Sequence, residues 1–181
     1  MNLPTTLTVV RIFLVPFLVV FLIATPRYPA VAVAIFLLAV FTDWLDGHLA
    51  RRRRQVTTLG TLLDPIADKL LIAAALISLV EVDRVQAWIV VLLVGRDIAV
   101  TGLRGIAAAQ GIVIAASDWG KAKMAAEVVA VTLLILSLRG GALRGWPLQA
   151  GTVVLWGATA IAVLSGVDYF RKFWRRVDLG G

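Results

Sequence analysis

Residues 43–51 read D-W-L-D-G-H-L-A-R and residues 60–68 read G-T-L-L-D-P-I-A-D. Together they hold four carboxylates in an otherwise apolar stretch: Asp43, Asp46, Asp64 and Asp68. The first pair is three residues apart and the second pair four apart, so on helices each pair lies on one face. Carboxylates near hydrocarbon are costly, and four that face each other repel unless a cation lies between them. Because hard divalent cations prefer oxygen ligands, the spacing predicts a metal site.

Small residues share the faces that carry these carboxylates. Gly47 and Ala50 each follow a carboxylate of the first pair by four residues, and Gly60 precedes the second pair by the same step. Small side chains let a ligand or a neighbouring backbone approach closely. Each residue alone fits plain helix packing equally well, but beside the carboxylates the set favours a phosphate-bearing ligand. The basic residues at 52–54 are interpreted as topology anchors.

The composition is that of an integral membrane protein. The chain has 181 residues, of which 60% are hydrophobic, against roughly 45–50% in soluble domains. The formal net charge is +7, but most basic residues lie at the ends of apolar runs, which argues against nucleic-acid binding. The absence of cysteine excludes disulfides and thiolate metal sites.

A membrane-spanning helix needs about 20 mostly apolar residues, and six such runs are present. We predict spans at about Leu7–Ala24, Pro29–Ala50, Leu59–Val80, Val85–Ala109, Trp119–Leu138 and Leu148–Phe170. Short connections between them predict one domain over residues 1–181, an all-α integral membrane bundle of six transmembrane helices. Pro65 is expected to disturb the third helix near its end.

The distribution of basic residues orients this bundle. Lys and Arg mark cytoplasmic helix ends, and one set of ends carries most of them, including Arg51–Arg54 and the basic tail that follows Phe170. An even number of spans then predicts that both termini and the carboxylate cluster lie at the cytoplasmic end.

A second informative region combines basic and small residues. Residues 95–104 read G-R-D-I-A-V-T-G-L-R, and residues 115–124 read A-A-S-D-W-G-K-A-K-M. Arg96 and Arg104 are eight residues apart, hence on broadly one helical face, and Lys121 and Lys123 begin the next helix. Four cations at one end of the bundle indicate an anion pocket, because Arg in particular matches phosphate geometry. For each cation alone, ordinary positive-inside flanking is the alternative.

The carboxylate segment resembles the signature of the CDP-alcohol phosphatidyltransferase family, D-x-x-D-G-x-x-A-R-x8-G-x3-D-x3-D, at every defined position. The resemblance implies that Asp43, Asp46 and Asp64 bind Mg2+ or Mn2+. It implies that Asp68 is the general base and also a ligand to a second metal. The matching small and basic positions are then expected to contact CDP-diacylglycerol: Gly47, Ala50, Arg51 and Gly60.

Residues 95–104 and 115–124, with the N-terminal N-L-P-T-T-L-T-V-V-R, resemble the bacterial phosphatidylglycerophosphate synthase branch of that family. The chain departs from the branch in carrying Asp97 for Glu, Met124 for Thr and Glu127 where Gln is common. The resemblance implies phosphatidyl transfer from CDP-diacylglycerol to sn-glycerol 3-phosphate, in a homodimer in the bacterial inner membrane. The acceptor phosphate is then assigned to the four cations Arg96, Arg104, Lys121 and Lys123.

Two alternatives stay open. The same chemistry can serve another acceptor, such as inositol phosphate, serine or phosphatidylglycerol. A small ion-coupled transporter is the alternative from a different class, although transporter sites usually lie near the membrane midplane and these carboxylates lie toward one face. Asn2, Thr5 and Arg11 are candidates for the edge of the nucleotide pocket, with a helix cap and an interfacial anchor as the competing explanations.

Overall fold

The computed structural model describes residues 3–25, 27–53, 58–109, 118–138 and 145–177. Over these residues the chain forms six α-helices and no strand: α1 (Leu3–Ile23), α2 (Pro29–Arg53), α3 (Thr58–Glu81), α4 (Ala87–Ala109), α5 (Asp118–Leu136) and α6 (Gly145–Val177). The all-α prediction is confirmed, and each predicted run corresponds to one helix. Helix α6 extends well past the predicted end at Phe170, and α3 is helical through Pro65.

The connection between α3 and α4 contains the C-terminal cap of α3. Asp83 adopts a left-handed backbone conformation with φ 56°, which Asp tolerates better than most residues. The backbone N–H of Arg84 then donates to the carbonyl of Leu79 at 2.8 Å, which satisfies a carbonyl at the end of α3. This tight closure keeps α3 and α4 adjacent.

The helices pack around one apolar core. Helix α1 packs against α2 and α3, and α6 packs against α4 and α5. The centre holds fully buried side chains such as Leu18, Phe36, Leu76 and Leu134. Gly151 brings α6 close to α5, since a Cβ atom at this position would lie 2.9 Å from the Leu134 Cγ.

The outer surface of the bundle is also apolar. Large side chains are exposed on several helices, for example Phe13 and Phe17 on α1, Val91 on α4, and Val153 and Leu164 on α6. Soluble monomers rarely expose large apolar patches, and the many exposed apolar side chains here suit contact with lipid.

Within the described residues, one helix, Gly145–Trp174, is both long and apolar enough to cross a membrane, while Thr8–Ile23 and Pro29–Asp43 are shorter apolar helices. The other helices contain charged residues within their apolar runs, and several of these residues lie in the candidate site.

Candidate active site

Two of the four predicted metal-binding carboxylates have described side chains, and they come from neighbouring helices. Asp43 lies on α2 and Asp68 on α3, close enough for their charges to interact. Asp46 and Asp64 belong to the same two helices, but their side chains lie outside the described residues, as do those of Gly47, Ala50, Arg51 and Gly60. The helical backbone of α2 and α3 provides the spacing on which the metal site was predicted, and the roles of these residues stay predictions.

A cation from α1 lies beside this carboxylate pair. The Arg11 side chain is fully buried, and its Nη1 lies 2.5 Å from Oδ1 of Asp43. A buried charge needs a partner, so the ion pair accounts for an arginine in an apolar helix. The buried position does not fit an interfacial anchor, and it makes α1 one wall of the carboxylate site.

A cavity of about 240 Å³ lies between α3, α4, α5 and α6. It is lined by Asp68, Lys69, Ile72, Arg96, Asp97, Thr101, Arg104, Gly120, Lys121, Lys123, Met124, Glu127, Ser165 and Tyr169. The structure therefore brings Asp68 and all four cations of the predicted anion pocket to a single cavity. Their role in binding an acceptor phosphate stays a prediction.

Two of these cations are held by carboxylates of the same wall. The Nζ of Lys123 lies 2.6 Å from Oδ2 of Asp97 and 2.7 Å from Oε1 of Glu127. Nη1 of Arg96 donates to the other oxygen of Asp97 at 3.0 Å, and its Nη2 donates to the hydroxyl of Ser165 at 2.9 Å. Asp97 thus links α4 to α5, and Arg96 links α4 to α6.

A hydrogen-bonded chain joins this network to the carboxylate site. Lys69, the residue after Asp68, donates to the hydroxyl of Thr101, which in turn donates to the backbone carbonyl of Asp97 at 2.6 Å. These hydrogen bonds hold Lys69, which lines the cavity, as a charge next to Asp68. They also tie α3 to α4.

Tyr169 and Arg104 also line the cavity. The guanidinium of Arg104 lies over the Tyr169 ring, 5.7 Å from its centre, within the range of a cation–π contact. Tyr169 and Ser165 were not predicted from the sequence, because they lie on α6, far along the chain from Arg96 and Arg104. The pairing of Glu127 was also not predicted, although its four-residue spacing from Lys123 is a local signal. Only the departure from Gln at Glu127 marked that residue beforehand.

The carboxylates fit a hard divalent cation, because they supply oxygen ligands from two adjacent helices. Asp43 and Asp68 are the described members, and within the described part of the chain no three metal-ligating side chains come together. The predicted metal site also includes Asp46 and Asp64, which follow and precede these residues by one helical turn.

An apolar groove adjoins the polar cavity. It runs between α4 and α6, has a volume of about 770 Å³ and is lined by Val91, Leu92, Gly95, Arg96, Ala99, Val100, Val163, Gly166, Val167, Phe170, Arg171 and Trp174. Arg96 lines both spaces. Its stem lies against α6, where a Cβ atom on Gly166 would be 3.2 Å from the Arg96 Cγ.

Comparison with known proteins identifies the family of this chain. A family model described as CDP-alcohol phosphatidyltransferase matches residues 1–164. The chain belongs to this family. It is 39% identical to a CDP-diacylglycerol–glycerol-3-phosphate 3-phosphatidyltransferase of Bacillus subtilis, over 96% of this chain and 95% of that protein.

Other relatives of the family are similar over comparable lengths of this chain. A probable phosphatidylglycerophosphate synthase of Mycobacterium tuberculosis is 40% identical over 99% of this chain and 84% of the relative. A cardiolipin synthase (CMP-forming) of rice is 34% identical over 97% of this chain and 58% of its own length. The family thus includes relatives named for two different products.

Proposed function

We propose that this chain transfers the phosphatidyl group of CDP-diacylglycerol to sn-glycerol 3-phosphate, giving phosphatidylglycerophosphate and CMP. The observation that carries the proposal is the shared cavity, in which Asp68 lies with Arg96, Arg104, Lys121 and Lys123. A carboxylate beside a cationic wall suits an acceptor that carries both a hydroxyl and a phosphate. The names of the bacterial relatives support this acceptor.

In the proposed reaction, the cationic wall binds the phosphate of the acceptor and directs its free hydroxyl toward Asp68. Asp68 takes the hydroxyl proton, and the oxygen attacks the phosphorus that carries diacylglycerol. A new phosphorus–oxygen bond forms while the bond to CMP breaks, and CMP leaves with the electron pair. Such a base needs reach to the hydroxyl more than an unusual basicity.

Mg2+ or Mn2+ is the proposed cofactor, held by Asp43, Asp46, Asp64 and Asp68, where it would polarise the phosphoryl oxygens. Gly47, Ala50, Arg51 and Gly60 belong to the same helices and are proposed to contact CDP-diacylglycerol. Arg11 holds Asp43 in place from α1 through the 2.5 Å ion pair.

The proposed environment is the bacterial inner membrane. Six spans with both termini in the cytoplasm place the cavity at the cytoplasmic surface, where a soluble acceptor meets a lipid substrate. The exposed apolar side chains support lipid contact. The groove between α4 and α6 is proposed to take acyl chains, because it is apolar and meets the polar cavity at Arg96. A single domain over residues 1–181 and a homodimer complete the proposal.

The direct test is turnover by purified protein. With CDP-diacylglycerol, Mg2+ and sn-glycerol 3-phosphate, we expect release of CMP and a lipid product whose mass is that of phosphatidylglycerophosphate. Inositol phosphate, serine and phosphatidylglycerol serve as alternative acceptors in parallel reactions. CMP release with one of these acceptors and none with glycerol 3-phosphate would refute the proposed acceptor but support phosphatidyl transfer. No CMP release with any acceptor would refute phosphatidyl transfer itself.

Phosphatidylglycerol is the second candidate acceptor. The similarity to a rice cardiolipin synthase favours it, and a lipid acceptor would need apolar space beside the cavity. The parallel reaction with phosphatidylglycerol distinguishes the two acceptors, because its lipid product would be cardiolipin.

A further inference from the structure

The hydroxyl of Tyr169 is an unexplained feature of the cavity wall. The Tyr169 side chain is 5% exposed and lines the cavity, yet its hydroxyl has no hydrogen-bond partner among the described residues. A buried phenolic hydroxyl usually has a partner, because leaving it unpaired costs desolvation free energy. Because the Tyr169 side chain lines the cavity, a ligand bound there can supply the missing partner.

The surroundings of Tyr169 indicate which kind of ligand. Its ring supports the guanidinium of Arg104, 5.7 Å away, so the ring and this cation form one unit across α4 and α6. Arg104 and Lys121 are the exposed cations of the cavity, whereas Lys123 is buried between two carboxylates. A donor hydroxyl beside exposed cations matches the oxygens of a phosphate.

We propose that the Tyr169 hydroxyl donates a hydrogen bond to the phosphate of the acceptor, and that it helps to select phosphate-bearing acceptors. The proposal rests on the proposed function, since it assigns a further binding residue to the acceptor. A donor that is paired only when a phosphate is present discriminates against acceptors without one, because such acceptors leave it unsatisfied. Arg104 supplies charge, and Tyr169 supplies a neutral donor of fixed position.

The test compares wild-type protein with Tyr169→Phe, which removes the hydroxyl and keeps the ring under Arg104. We expect the KM for sn-glycerol 3-phosphate to rise by about 10- to 100-fold, the typical effect of losing a hydrogen bond to a charged group. The KM for CDP-diacylglycerol is expected to change less than twofold. The dissociation constant for glycerol 3-phosphate, measured by calorimetry in detergent, should rise with the KM.

The matched control is Thr159→Val on the same helix. Thr159 is also buried, but its hydroxyl donates to the backbone carbonyl of Leu155 at 2.8 Å and does not line the cavity. Its loss should leave both KM values within about twofold of wild type, since it alters no group of the proposed site.

Unchanged glycerol 3-phosphate constants in Tyr169→Phe, or a rise only for CDP-diacylglycerol, would overturn the inference while wild-type turnover still supports the proposed function. If wild type does not use glycerol 3-phosphate, the proposed function fails and the inference fails with it.

A measurement on the wild-type sequence covers the case in which Tyr169→Phe does not fold. The chain contains two tyrosines, and the other, Tyr28, is exposed in the connection between α1 and α2. Fluorotyrosine labelling therefore gives two 19F resonances, which Tyr28→Phe assigns. Glycerol 3-phosphate should shift the Tyr169 resonance and leave that of Tyr28 in place. A Tyr169 resonance that does not move at saturating acceptor would contradict the proposal.

Discussion

Replacing Asp97 by Ala should destabilise the protein by about 3 kcal/mol. Asp97 accepts from Lys123 at 2.6 Å and from Arg96 at 3.0 Å. Each hydrogen bond to a charged group contributes about 1.5–3 kcal/mol, and removing one partner of a buried pair costs about 3–5 kcal/mol. The Asp97 side chain is 21% exposed, which places the expected loss at the lower end of that range. A loss of 3 kcal/mol corresponds to roughly a 100-fold change in the folding equilibrium.

Asp168 provides the matched control, because it forms an ion pair of the same length in solvent. Its Oδ2 lies 2.6 Å from Nζ of Lys172, and the two side chains are 49% and 55% exposed. Exposed pairs of this spacing on a helix contribute only about 0.3–0.5 kcal/mol, so Asp168→Ala should have little effect. The two variants therefore differ in burial and in the number of partners lost, but not in the length of the lysine contact.

The assay is reversible unfolding by a denaturing detergent in mixed micelles, followed by helical circular dichroism. The expected order of stability is wild type and Asp168→Ala together, then Asp97→Asn, then Asp97→Ala. Asp97→Asn removes the charge and keeps one acceptor oxygen, so its loss should be intermediate. Equal losses for Asp97→Ala and Asp168→Ala would refute the reasoning, since burial would then contribute nothing to the pair.

Three further predictions concern the carboxylate site, the helix packing and the topology. Asp68→Asn should reduce turnover by at least about 100-fold, a typical contribution of general-base catalysis, while the protein still purifies. Excess EDTA should abolish wild-type activity until Mg2+ or Mn2+ is restored. Full activity of the variant would exclude Asp68 as the base, and full activity in EDTA would exclude the metal. Gly151→Ala should destabilise by about 1–3 kcal/mol in the same unfolding assay, because its Cβ would lie 2.9 Å from the Leu134 Cγ, whereas Gly157→Ala has open space around it and should be neutral or slightly stabilising. Reporter fusions at the C-terminus and within residues 139–144 should report opposite sides of the membrane, and the same side for both would contradict the six-span topology.

The helices were predictable because each consists largely of an apolar run with polar or charged residues, Gly or Pro near its ends. The prediction ended α6 at Phe170, where the apolar run stops, but the helix continues to Val177 through a basic segment. Hydropathy reports where a helix can meet lipid, and it does not report where backbone hydrogen bonding ends. The same reasoning explains why α1 begins at Leu3, before its predicted start at Leu7.

The candidate site was partly predictable for a similar reason. Motif spacing within each helix singled out Asp43 on α2 and Asp68 on α3, and proximity along the chain grouped Arg96 with Arg104. The partners of these residues come from other helices: Ser165 is 69 residues from Arg96, and Arg11 reaches Asp43 from α1. No local pattern encodes such contacts. A lone arginine in an apolar run was nevertheless a usable signal, because a buried charge requires a partner.

The pairing of Lys123 with Asp97 and Glu127 bears on product release. The product of the proposed reaction retains the phosphate of the acceptor, so a wall that held this phosphate with four uncompensated cations would also hold the product. Two carboxylates in the wall, Asp97 and Glu127, partly offset the charges of Arg96 and Lys123. Binding substrate and product equally tightly does not accelerate turnover, and it slows departure from the site. We therefore expect these two carboxylates to weaken the binding of phosphate in the cavity, for acceptor and product alike.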